Sequence, residues 1–208
     1  MVPLSFPDAR LLLFARAPEL GRVKTRLARR VGDAAALALY TAWLEGALRR
    51  LVDARLAPLE CWCTPDCAHP FFQSWGDVVR FRRQRDGNLG ERMFHAAETA
   101  LREARMVVLL GADCPDLDGA YLERALRALE RGCDLVLGPA LDGGYVLLGL
   151  RHAERGLFDG IAWGGREVAA TTLARASALG LSSHCLSPLR DIDEYEDLVA
   201  WSARLNGL

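Results

Sequence analysis

The feature that most constrains this chain is a repeating alternation of an apolar run too short for a helix, a polar turn, and a helical pattern. Its clearest member is Met106–Leu110, an uninterrupted apolar run that predicts a strand buried on both faces. Leu11–Arg16 is a similar run with no room for a helix before Pro18. Leu59–Thr64, Val78–Arg83, Asp134–Leu137, Tyr145–Leu150 and the short Leu181–Leu186 read as further strands. Helices are expected from the cap Asp33 to about Asp53, over Leu89–Ala104, from the cap Asp118 to about Glu130, over Val168–Ala178 and over about Glu194–Leu205. Strands alternating with helices imply an α/β fold with a mostly parallel sheet and helices on both faces. No repeat, low-complexity tract or linker interrupts the pattern, so residues 1–208 are expected to form one domain.

Ligands of such sheets bind outside the carboxyl ends of the strands. That rule selects the loops at 16–26, 84–92, 111–117, 138–145 and 187–193, which also carry the unusual residues. The first loop runs from Ala15 to Leu27 and holds Arg16, Arg22, Lys24 and Arg26 where a helix opens. Cations there oppose the helix dipole unless an anion is bound, so the loop is expected to cradle phosphate. It is neither a P-loop nor a dinucleotide fingerprint, because Gly21 is its only glycine. Lys24 is the only lysine of the chain, and the other 25 basic residues are arginine. A compact ammonium is a point charge that the flat guanidinium fork does not copy.

Gly111-Ala112-Asp113-Cys114-Pro115-Asp116 follows the most buried strand. A carboxylate at that tip suits Mg²⁺, which takes one or two carboxylates and completes its shell with phosphate oxygens and water. Asp113 is the expected ligand, because Asp118 already serves as the helix cap. Asp191 and Asp193 lie on one side of an extended segment, and either could supply a second ligand or cap the last helix. Gln84 to Arg92 is a glycine-bearing turn that suits either a base and ribose or a plain helix cap. Gly138 to Tyr145 joins two strands, and Asp142 is its one acid, suited to a base or to an acceptor contact.

The totals exclude several classes. A net charge of −1 argues against a protein that coats nucleic acid. The charge is uneven, with +4 over residues 1–60 and −5 over the rest, so one end can face phosphate while the other supplies carboxylates. The longest apolar stretch, Ala34 to Leu44, is far short of the ~20 residues of a membrane span. Pro3, Pro7, Asp8 and Arg10 are wrong for a signal peptide, so a cytoplasmic setting with six reduced cysteines is expected. Cys61, Cys63 and Cys67 lack the spacing of a zinc site, and neither a G-x-S-x-G nor an H-E-x-x-H motif occurs.

In order along the chain, Lys24–Leu27, Gly87–Met93, Gly111–Leu117, Gly138–Tyr145 and Asp191–Leu198 together resemble the nucleotide-diphospho-sugar transferase superfamily with the GT-A fold. Within it, the chain looks most like a bacterial, uncharacterised branch labelled "glycosyltransferase". That branch is similar to 2-phospho-lactate guanylyltransferase and, more remotely, to molybdenum cofactor guanylyltransferases. The resemblance implies a three-layer α/β/α sandwich with a Rossmann-like sheet, and Mg²⁺- or Mn²⁺-dependent use of a nucleotide. It implies that Ala15, Arg16, Lys24, Thr25 and Arg26 bind the nucleotide's phosphate end, and that Gln84, Gly87 and Asn88 lie near its base or ribose. It assigns Asp113 and Asp193 to the metal, and Asp142, Gly143, Gly144 and Tyr145 to a small-molecule acceptor. Asn88 stands where relatives usually show Asp, and Glu194 where threonine is common.

Two reactions share this scaffold. In nucleotidyl transfer, a phosphorylated acceptor attacks the α-phosphorus of an NTP, and the basic loop takes the charge of leaving pyrophosphate. In glycosyl transfer, an acceptor attacks the sugar carbon of an NDP-sugar with help from a base such as Asp142. The arginine-rich loop tips the expectation slightly toward nucleotidyl transfer, with Lys24, Asp113 and Asp142 as catalytic residues. A third reading is a degenerate transferase that only binds a nucleotide, against which the intact Asp113 argues.

Overall fold

The computed structural model describes residues 3–206. Its strands are β1 (Ala9–Arg16), β2 (Leu59–Thr64), β3 (Arg80–Arg83), β4 (Met106–Gly111), β5 (Leu135–Pro139), β6 (Tyr145–Leu150) and β7 (Ser183–Cys185). They form one sheet in the order β3-β2-β1-β4-β6-β5-β7. Every pairing is parallel except those of β6 with β4 and with β5. The exception has a simple cause. A turn as short as 140–144 can only reverse the chain, whereas a parallel return needs about a dozen residues or more.

Both faces of the sheet are covered, as the apolar run of β4 requires. On one face Val108 and Leu110 pack with Leu44 and Leu48 of α2 (Asp33–Ala54) and with Leu122 and Leu126 of α5 (Gly119–Glu130). On the other, Val107 and Leu109 meet Met93 and Ala97 of α4 (Leu89–Ala100) and Ala176 of α6 (Val168–Ala178). Burying each such side chain contributes roughly 1.5–3 kcal/mol. The result is the three-layer α/β/α sandwich. A smaller cluster of Leu27, Trp43 and Ile192 joins α1 (Thr25–Val31) to α2 and to α7 (Tyr195–Asn206). No helix among the described residues is long and apolar enough to cross a membrane.

Several element ends differ from expectation for local reasons. Gly32, at φ 85°, occupies the cap of α2, so Asp33 is the first helical residue and makes no side-chain cap bond. Asp118 does cap α5, accepting from the Tyr121 N–H at 2.7 Å. The strand expected from Val78 starts only at Arg80. Residues 78 and 79 still donate back to the Trp75 carbonyl, completing the turn after the one-turn helix α3 (Pro70–Gln73). The edge strand β3 is anchored by Glu60, 3% exposed on β2, with Arg82 at 2.8 Å and Arg80 at 3.6 Å. Charged side chains of this kind discourage pairing with a further strand.

The β5–β6 turn is closed by Gly143, which has φ 97° and would place a Cβ only 2.0 Å from the Arg166 carbonyl oxygen. Its own carbonyl accepts from the Ala169 N–H at 3.0 Å, so the turn and the start of α6 are clasped together. Gly143→Ala is therefore expected to cost about 2 kcal/mol or more, visible as a lower melting temperature. A melting temperature equal to that of the parent would show that the clasp yields freely.

Candidate active site

Five loops converge at the carboxyl ends of the strands, beside the point where the sheet order reverses between β1 and β4. Backbone hydrogen bonds hold the last of them in place. Leu189 N–H donates to Pro139 O at 2.9 Å, Leu141 N–H donates to Leu189 O at 3.0 Å, and Ile192 N–H donates to Asp113 O at 3.0 Å. The final contact lays the 191–193 segment against the tip of β4.

Lys24 completes the junction. It sits at φ 46°, a left-handed conformation that costs a non-glycine residue roughly 1–2 kcal/mol. Its Nζ lies 2.6 Å from the Ile192 carbonyl, 2.7 Å from Asp193 Oδ1 and 3.0 Å from Asp113 Oδ2. The side chain is only 4% exposed. Burial alone pulls its pKa down, but the two carboxylates and their hydrogen bonds outweigh that and raise it overall. The three residues expected to hold phosphate and metal are thus brought together, and they hold one another. Each of the three ammonium N–H groups has a protein oxygen to meet.

Asp113 Oδ1, by contrast, is buried without a hydrogen-bond partner. A buried acceptor left open is costly, and a bound cation or water beside Asp113 would satisfy it. No three His, Cys, Asp or Glu side chains among the described residues are grouped to hold a metal by themselves. Asp113 and Asp193 fit a hard divalent cation whose shell is completed by phosphate and water. The thiols of Cys61 and Cys63 pack in the core 3.8 Å apart.

On the β1 side of this junction lies a cavity of about 310 Å³ lined by Arg16, Arg22, Lys24, Thr25 and Arg26. Tyr40, which no sequence motif flags, sets its floor. The phenol accepts from Arg16 N–H and donates to Arg16 O, both at 2.9 Å, which fixes where β1 ends. Arg16 Nη1 donates to the Arg22 carbonyl at 3.1 Å and closes the loop. On the β6 side lies a cavity of about 230 Å³ with walls of Phe14, Met93, Tyr145, Trp163 and Val168, and with Asp142 and Asp191 as its acids. A third, of about 540 Å³, shares Arg26 and Asp193 with the first and Asp142 and Asp191 with the second. The three make one cleft, basic at one end and acidic and aromatic at the other. Burial first, then Asp142 and Asp193, pushes the pKa of Asp191 up to about 6.

Other expected site residues are occupied by the fold. The Gln84 amide donates to Trp62 O at 2.7 Å and to Ala15 O at 3.4 Å, and its Oε1 accepts from Arg92 at 3.3 Å. Asn88 and Glu91 form a reciprocal capping box at the start of α4. A Cβ on Gly87 would lie 2.3 Å from Glu91 Oε2, so that glycine serves the cap as well. The plain-cap reading of this turn is the one these bonds support. Asp193 does not cap α7. Its N–H and that of Glu194 donate instead to Asp197 Oδ2, which leaves the Asp193 carboxylate for Lys24. Trp163 is the residue that sequence reasoning missed. A tryptophan beside Gly164 and Gly165, outside any periodic element, was its only signal.

A three-layer sandwich with this cleft defines the fold class of the nucleotidyltransferases and nucleotide-sugar transferases. Within that class, the chain belongs to the family described as "Uncharacterized protein conserved in bacteria (DUF2064)", which matches residues 47–165. A solved protein of Desulfovibrio desulfuricans G20, described as a candidate nucleotide-diphospho-sugar transferase, is 34% identical with a TM-score of 0.87, over 96% of this chain and 89% of that one. Two others share the fold alone. CMP:2-keto-3-deoxy-manno-octonic acid synthetase, solved with CTP, is 11% identical with a TM-score of 0.61, over 96% of this chain and 99% of that one. The 4-diphosphocytidyl-2C-methyl-D-erythritol synthase of Anaerococcus prevotii DSM 20548 is 10% identical with a TM-score of 0.64, over the same shares. No curated protein matches the sequence.

Proposed function

We propose that this protein is a metal-dependent transferase that carries a glycosyl group from an NDP-sugar to an acceptor seated between Asp142 and Trp163. The observation that carries the reading is the change of sign along one cleft, from Arg16, Arg22 and Arg26 at one end to Asp142 and Asp191 at the other. Nucleotidyl transfer, favoured by the basic loop in isolation, counts Lys24 among the cations available to a triphosphate. In the fold that ammonium is already committed to Asp113 and Asp193. The likeness to the Desulfovibrio protein supports a nucleotide-utilising transferase in either reading.

In the proposed reaction the acceptor oxygen or nitrogen forms a bond to the anomeric carbon as the bond from that carbon to the donor diphosphate breaks. The electron pair leaves on the diphosphate, beside the three guanidinium groups. The acceptor proton passes to the carboxylate pair Asp142 and Asp191. Asp113 and Asp193 are the residues that would hold Mg²⁺ or Mn²⁺, whose chemistry there is to carry negative charge on the donor phosphates.

NTP-dependent nucleotidyl transfer remains as a second reading because the three arginines also suit a leaving pyrophosphate. One experiment separates the readings: melting temperatures with Mg²⁺ and a panel of NTPs and NDP-sugars, followed by product analysis with the best donor. Stabilisation by an NDP-sugar with release of the NDP is the expected result. Pyrophosphate release from an NTP would transfer the assignment to the second reading. Stabilisation by neither would leave a degenerate fold.

A further inference from the structure

The cavity on the β6 side has a built wall. Tyr145 and Trp163 meet edge to face, with ring centroids 6.3 Å apart and planes at 88°. The Tyr145 hydroxyl faces Met93 Sδ at 3.9 Å. Trp163 is seated directly on the backbone of α4, since a Cβ on Gly90 would lie 2.7 Å from its ring. The space of about 230 Å³ exceeds the ~150 Å³ apolar cavity that takes up benzene, so it has room for one substituted ring.

Its charge is one-sided. Asp142 and Asp191 are its ionisable acids, and among the described residues no Lys, Arg or His lines it. In the wider cavity beyond, Arg190 is paired with Asp197 at 3.3 Å and Arg26 with Glu194 at 3.8 Å, while Arg166 faces that wider space and not the aromatic one. A phosphate placed between the rings and the two carboxylates would lose its water and meet like charge. A hydroxyl or an ammonium would find acceptors.

We propose that this cavity selects the acceptor's chemical class: an alcohol or amine carried on an apolar, ring-sized body, and not a phosphorylated molecule. The inference rests on the transferase reading above, and it replaces the phosphorylated acceptor expected from sequence. Tyr145 and Trp163 hold the body by stacking and contact, and the two carboxylates receive the polar end.

The test uses the full chain and three probes of one shape: 2-phenylethanol, phenethylamine and phenyl phosphate. Binding is followed by saturation-transfer NMR on the ring signals of each probe, a readout that every variant keeps. The alcohol and the amine are expected to bind, the amine more tightly, with phenyl phosphate weaker by about tenfold or more. The double variant Asp142→Asn, Asp191→Asn should erase the preference for the amine over the phosphate. Trp163→Ala should weaken every probe, and Trp163→Phe keeps the test valid if the alanine variant does not fold. Phenyl phosphate binding as well as the amine in the unmutated protein would overturn the proposal. So would displacement of the amine by a free nucleoside, which would make this the base site. Nucleotide binding is measured separately on the same sample. Loss of the nucleotide response with the probe preference intact defeats the transferase reading and leaves the cavity chemistry standing. The reverse result defeats the cavity assignment alone.

Discussion

Lys24→Ala is expected to lower the melting temperature of the metal-free protein by roughly 6–12 °C. The ammonium is almost wholly buried and touches Asp113, Asp193 and the Ile192 carbonyl. Its removal leaves two carboxylates facing each other with no cation. The cost is about 3 kcal/mol, near the low end for a broken buried pair, because Asp113 and Asp193 keep 37% and 44% of their side-chain exposure. The same geometry predicts an unusual rescue. Mg²⁺ should stabilise the alanine variant more than the parent, since the cation no longer competes with an ammonium for the same oxygens. Lys24→Arg keeps the charge, but a planar fork cannot aim three N–H groups at three oxygens around one point, so little of the lost stability should return. An alanine variant as stable as the parent, with no larger response to Mg²⁺, would show that the three-way contact contributes nothing.

Asp113→Asn should leave the fold nearly intact and remove the metal dependence of donor binding, with transfer reduced by about 100-fold or more. Lys24 keeps Asp193 and the Ile192 carbonyl in this variant, which is why stability is spared. On the proposed reading function is not spared, because Asp113 Oδ1 is buried with no hydrogen-bond partner among the described residues, and an amide there would be a poor ligand for a hard cation. Melting curves with a nucleotide, with and without Mg²⁺, check this directly. Retained Mg²⁺ dependence would move the ligand role elsewhere. The two variants together separate a structural ion pair, which predicts similar losses of stability, from a ligand site, which predicts opposite profiles.

Much of the scaffold was legible because burial leaves a plain mark on sequence. Met106–Leu110 reads as a strand covered on both faces since every residue in it had to be apolar, and Val107 and Val108 are indeed fully buried. Asp118 reads as a cap because a short acid before an apolar helical pattern has few other uses. The failures were of another kind. Asp33 and Gly32 compete for one cap position, and only the backbone at φ 85° decides between them. Val78 and Val79 have strand residue types, yet the turn after α3 claims their N–H groups. Gln84 suits a nucleobase as well as it suits the carbonyls of Trp62 and Ala15, and the register of β3 on β2 brings those two carbonyls within its reach.

The sequence by itself determined the alternation of strands and helices, the layered sandwich that follows from it, and the loops that meet at the carboxyl ends of the strands. Those properties depend on residues close together in the chain, where periodicity and capping act. Only the tertiary structure decided that Lys24 spends its charge on Asp113 and Asp193, that Gln84 and Asn88 make hydrogen bonds within the scaffold, and that Trp163 closes a cavity whose charged lining, among the described residues, is acidic. Lys24 and Asp193 are 169 positions apart and meet at 2.7 Å. A contact of that range is set by how strands pair and helices pack, and the side chains at its two ends carry no local trace of it.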